Sequence, residues 1–261
     1  MERARGNWYQ GIVAGVIVAV SAFAPPAYPQ NRNKGPDAQI QADVTKALDK
    51  KQFKDVTATV DSGIVKLSGV VATYADKVDA DRLTHHSRKV SAVDDEIQVA
   101  GAAIDDTTLR NKLASKLEYD RVGYGTTAFN SVTIAVQNGV VTLGGTTYGP
   151  ADKDSALSLV EHYPGVKDVV DNIGVAPLSP SDDRIRIAEF RSIYDFPTLN
   201  KYATDPGKPI RIAVVNGNVT LTGVVDSQTD KDAANLRANA VPGVFRVTNF
   251  LQVANPVVGQ R

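Results

Sequence analysis

A seven-residue stretch, Gly-x-Val-x-Leu-x-Gly, occurs three times in this chain, and its repetition constrains the fold more than any other feature. It spans Gly63 to Gly69, Gly139 to Gly145 and Gly217 to Gly223, and the steps between copies are 76 and 78 residues. Each copy is followed in the same register by matching residues. An aspartate–lysine pair comes first (Asp76-Lys77, Asp152-Lys153, Asp230-Lys231), then an alanine (Ala80, Ala156, Ala234). Two valines follow (Val90 and Val93, Val166 and Val169, Val244 and Val247). Self-similarity of this extent predicts one small fold used three times. A triplicated module points to a binding array rather than a catalytic centre.

Each copy reads as helix, strand, strand, helix, strand. In the third, Ser181-Asp182-Asp183 opens a helix running toward Tyr194. Ile210, Ile212 and Val214 then alternate with Arg211 and Ala213, the period of a strand with one buried face. Asn216-Gly217 is a hairpin turn, because both positions tolerate positive φ. Val219 and Leu221 lie on the return strand, Asp226 to Val241 reads as a helix, and Pro242-Gly243 stops it. The fold class expected is α+β. Each of three tandem αββαβ modules has a three-stranded mixed sheet and two helices on one face, since a helix between two strands makes a crossover to a parallel neighbour. The second motif glycine is expected to let the strand leave without meeting the following helix.

Boundaries follow from the repeats. Residues 1–24 read as a signal peptide or N-terminal anchor, with Arg3 and Arg5 before an apolar run and Ala22-Phe23-Ala24 in the small-x-small form of a cleavage site. Residues 25–36 form a Pro-, Asn- and Gln-containing tether, and the modules occupy 37–100, 104–177 and 181–254. The leader predicts a periplasmic or otherwise exported protein, tethered to the inner membrane if the leader stays in place. There is no cysteine, which excludes disulfides and thiolate metal sites. Formal net charge is +0, which argues against nucleic acid as a partner.

The order of elements and the residues quoted above resemble the BON domain, a family named for bacterial osmotically induced periplasmic proteins and nodulation-type proteins. Its final Val-x-Asn-x-Leu-x-Val strand matches Val247 to Val253. The second copy carries an asparagine one place later, at Asn172, and the first has none, which makes it the most divergent. The resemblance covers about residues 37–254. It implies a non-enzymatic envelope module linked to osmotic and envelope stress, whose partners are phospholipid or envelope proteins. It supplies no catalytic residue and implies no cofactor.

No catalytic triad, P-loop or Gly-x-Gly-x-x-Gly is present. His85-His86 and His162 fall near helix ends, and adjacent helical residues point about 100° apart, so they make no ready metal claw. Two inserts, between first helix and first strand of the second and third copies, gather aromatics. Tyr119, Tyr124 and Phe129 lie in one, and Phe190, Tyr194, Phe196 and Tyr202 in the other. They either pack over the end of the core or offer an aromatic surface to a partner or a lipid headgroup region. Charge is uneven. Residues 37–100 carry 9 basic and 11 acidic groups, residues 104–177 carry 6 and 9, and residues 181–261 carry 10 and 8. Only the third copy is net positive, and Arg184 and Arg191, seven apart, share a helix face there. Candidate contacts for lipid or partner are therefore Arg184, Arg191, Tyr194, Phe196, Tyr202, Tyr119 and Tyr124. Gly63, Gly69, Gly139, Gly145, Gly217 and Gly223 are expected to be architectural. The alternative reading is an assembly protein whose repeats mediate protein–protein contact, in an oligomeric state the sequence does not fix.

Overall fold

In the computed structural model, the residues described are 34–100, 104–119, 127–204 and 209–254. The expected leader lies outside them. The first helix opens at Lys34, so it takes up the last three residues of the expected tether.

The first repeat shows why the sequence folds this way. Ser62 and Gly63 adopt φ of 55° and 80°, the conformation of a tight two-residue hairpin turn, and join β1 (Val56–Asp61) to β2 (Ile64–Val71) antiparallel. Thr73 caps α2 (Tyr74–His85) in a capping box with Asp76. The chain then returns as β3 (Ala92–Val99), parallel to β2. The sheet order is β1-β2-β3, so the sheet is mixed. Val65 and Leu67 point to one face, where they meet Ile40 and Val44 of α1 (Lys34–Ala47) and Ala80 of α2. Both helices cover that face.

The second repeat comprises α3 (Asp106–Tyr119), β4 (Ser131–Gln137), β5 (Val140–Thr147) and α4 (Pro150–Glu161). Its last strand is interrupted into β6 (Asp168–Asp171) and β7 (Gly174–Val175), both parallel to β5. The third comprises α5 (Pro180–Tyr194), a short α6 (Lys201–Thr204), β8 (Arg211–Val215) and β9 (Asn218–Thr222). It continues through β10 (Val224–Val225) and α7 (Gln228–Asn239) to β11 (Arg246–Asn249) and β12 (Gln252–Val253). Each repeat has its own apolar cluster, and Leu67, Leu143 and Leu221 are fully buried at the same place in each.

The second motif glycine has a different reason from the one expected. Gly69, Gly145 and Gly223 take φ of 123°, 89° and 129°, and a Cβ there would overlap the carbonyl oxygens of Asp55, Ser131 and Pro209. The close neighbour is the backbone entering the first strand, not the following helix. Only a residue without a Cβ fits.

Candidate functional site

The expected contacts concentrate on the third repeat, and α5 positions them. Ser179 caps this helix, its hydroxyl accepting from Asp182 N at 3.2 Å, and Pro180 starts it. The Asp182 carboxylate in turn accepts from the Asn216 and Gly217 backbone N–H groups at 2.9 Å each, which locks the helix start to the hairpin tip. Ile185, Glu189 and Ile193 are buried beneath the helix. Arg184 and Arg191 stand exposed on the other side. Ile187, 49% exposed, lies between them. Arg184 donates to Ser181 Oγ at 3.3 Å, and neither arginine is paired with an acid among the described residues.

The aromatics of the inserts divide differently from the expected surface. Tyr194 is buried, donates to Ile210 O at 2.6 Å, and has its hydroxyl pKa pushed up to about 12 by that burial. Tyr202 is also buried, donating to Asp230 Oδ2 at 2.8 Å while accepting from Asp226 N at 2.7 Å. As surface anchors both are therefore withdrawn, because they close the end of the core. Phe196 is half-buried with the Arg237 guanidinium 5.3 Å from its ring centre. Tyr119 ends α3, and Tyr124 lies outside the described residues.

Phe129 and Phe190 do something the sequence did not indicate. Their ring centres are 6.2 Å apart, so they join the second repeat to the third. The Arg186 guanidinium lies 5.1 Å from the Tyr148 ring, and Ser131 Oγ bonds Thr222 Oγ1 at 2.9 Å across the same seam. Between the first and second repeats, Tyr74 packs against the second core and its hydroxyl pKa is raised to about 12, first by burial and then by Asp168.

Two exposed aromatics were passed over in the sequence. Phe245 is 81% exposed and Phe250 63% exposed. The available signal was positional: Phe245 stands where the sister repeats have Ser91 and Lys167, and Phe250 where they have Glu96 and Asn172. Phe245 walls a groove of about 720 Å³ that is also lined by Arg184, Ile185, Ala188 and Pro242. The matching groove of the first repeat, about 370 Å³, is lined by Gln39, Asp43, His86, Ser87, Arg88 and Lys89. Ser179, Ser181, Asp182 and Asn216 also line the third-repeat groove, so it mixes apolar and polar groups, whereas the first-repeat groove is polar and carries Arg88 and Lys89.

His86 and His162 occupy equivalent helix ends, each ring Nδ1 lying 2.7 Å from the carbonyl four residues back. No cluster of three or more metal-ligating side chains occurs among the described residues. No helix among them is long and apolar enough to cross a membrane.

The chain matches the family model described as BON domain at residues 36–101, 105–177 and 198–255. It is 25% identical over 191 residues to osmotically-inducible protein Y of Escherichia coli (strain K12), covering 72% of this chain and 92% of that protein. Among solved structures, it is similar to the C-terminal domain of CdsD, the structural protein of the type III secretion system of Chlamydia trachomatis. That match has 14% identity and a TM-score of 0.25, over 85% of this chain and 98% of the other. A second CdsD structure gives 18% identity and a TM-score of 0.24, over 81% and 90%. Superpositions that loose carry no argument about this chain. The first copy is matched from end to end, whereas the third match begins past α5. The family pattern is therefore not matched over the helix that carries Arg184, Arg186, Glu189 and Arg191.

Proposed function

The chain belongs to the BON domain family, and from that premise we propose that it is an exported, non-catalytic binding protein of the cell envelope. It associates with phospholipid membrane through its third repeat, in protection against osmotic or envelope stress. The relative named for osmotic induction supports the stress part of this reading. The observation that carries the membrane part is the outer stripe of α5, where Arg184, Ile187 and Arg191 are exposed on the one net positive repeat. Glu189 adds to this polarity, because burial pushes its carboxyl pKa up to about 8, so it carries no charge near neutral pH. Cations beside an exposed apolar residue suit an anionic headgroup layer. Each contributes about 1 kcal/mol near such a surface, and salt screens it within about 8–10 Å.

The test is cosedimentation of the protein, freed of residues 1–24, with vesicles containing anionic phospholipid. Binding is expected to weaken as salt is added and again when Arg184 and Arg191 are both replaced by Glu. Reversing two lysines in the first repeat should change it little. No cosedimentation even at low salt would remove the membrane reading and leave protein–protein assembly as the better account.

A further inference from the structure

Glu189 is fully buried in α5, and neither carboxylate oxygen has a hydrogen-bond partner among the described residues. A buried polar group without a partner is expensive and calls for a reason. The sister repeats show how unusual the choice is. Asp37, Asp106 and Asp182 each hold their own hairpin tip, so the three first helices are in common register. Seven residues on from those aspartates come Val44, Leu113 and Glu189. Val44 and Leu113 are fully buried core residues. The third repeat thus places an ionisable group at a position that the same fold fills with apolar side chains elsewhere.

The position adjoins the seam between the second and third repeats. Arg186, one turn before Glu189, stacks on Tyr148, and Phe190, directly after it, meets Phe129. Apart from half-buried Lys231 of α7 and the exposed Arg184 and Arg191 of α5, the charged groups on α5 and on the elements packed against it are engaged elsewhere. On α5 itself Asp182 holds the hairpin tip, and Arg186 bonds Asp183 and Val214 O. On α7, Arg237 donates to Ser192 O, Gln228 bonds Asp232, and Asp230 takes Tyr202 and Lys201 of α6. Arg211 of β8 acts on Tyr194. Burial is the single cause acting on the Glu189 carboxyl, so none of these charges offsets its ionisation.

We infer that Glu189 makes α5, and with it the seam to the second repeat, labile to rising pH. Below the ordinary carboxylate range, folded and open forms both keep the proton, and pH has no effect. Between that range and about 8, the open form releases the proton while the closed form keeps it. Opening is therefore favoured about tenfold per pH unit in that window and levels off above it. The sign is opposite to that of a salt-bridged acid, whose contribution is lost as pH falls.

Amide hydrogen exchange on the full chain tests this, with Glu189→Gln compared at each pH so that the intrinsic pH dependence of exchange cancels. From pH 5.5 to 7.5, protection of α5 and of residues 127–129 should fall in the parent relative to the variant by about tenfold per unit. Protection of α1 should keep a constant ratio. Glu189→Leu, which installs the residue found at Leu113, should behave like the Gln variant and serves if that one does not fold. A flat ratio across pH, or an equal change in α1, would overturn the inference.

Discussion

Asp37, Asp106 and Asp182 each accept both backbone N–H groups of their own hairpin turn, at 2.6–3.0 Å. One carboxylate thus satisfies two donors that the tight turn cannot pair, and it also suits the positive end of its helix. Asp182→Ala should lower stability by about 1–3 kcal/mol, read from urea unfolding, because it strands two amides. A loss below about 0.5 kcal/mol would mean that water replaces the carboxylate without cost. Asp182 was legible as a helix opener, but the grip of these acids on a turn 25–35 residues away was not, since it depends on how the helix crosses the sheet. The register of the last strand holds at the single-residue scale. The structural counterpart of Asn249 is Asp171, not Asn172, and Asp95 in the first copy. Their side chains accept from Leu251 N, Ile173 N and Ile97 N at 2.9–3.0 Å, an Asx turn that either aspartate or asparagine can make. The aspartates also bind a lysine from the repeated pair, Lys153 at 2.7 Å and Lys77 at 3.7 Å, a partner that Asn249 does not offer Lys231.

At the scale of elements, the hairpins and helices were legible because period-two alternation and Asn-Gly turns are local signals. Buried Leu221 sits at the centre of the third sheet, and Leu221→Ala should cost about 2–5 kcal/mol by thermal or urea unfolding. A cost under about 1 kcal/mol would mean that the return strand is not the core strand described. The broken last strands were not legible. The chain leaves the ladder after Asp171 and Asn249 and rejoins it at Gly174 and Gln252, whereas β3 runs unbroken through the same Asx turn at Asp95. The inserts were the hardest segments, because an aromatic in a loop carries no period to say which way it faces. Tyr194 and Tyr202 turn inward, since their hydroxyls find partners under the loop at Ile210 O and Asp230. The same inserts, seven and nine residues longer than in the first copy, separate the first helices from the aligned half-repeats and hid the equivalence of Val44, Leu113 and Glu189.

At the scale of the molecule, the three repeats differ in what they show to the outside more than in fold. The first and second are net negative, while the third is net positive and exposes Ile187 between two arginines. Charge asymmetry was readable from composition, but which aromatics are exposed was only partly so, since Tyr194 and Tyr202 are core residues and the exposure of Phe245 was missed. Because the chain has no cysteine, a single one can report on each surface without background. The most direct test of membrane contact by the third repeat places an environment-sensitive fluorophore at Ile187→Cys, with Ala42→Cys, the equivalent exposed position on α1, as its counterpart. On adding anionic vesicles at low salt, the label at position 187 should shift to the blue and return when salt is raised, while the label at position 42 stays unchanged. No shift at position 187, or equal shifts at both, would contradict the account.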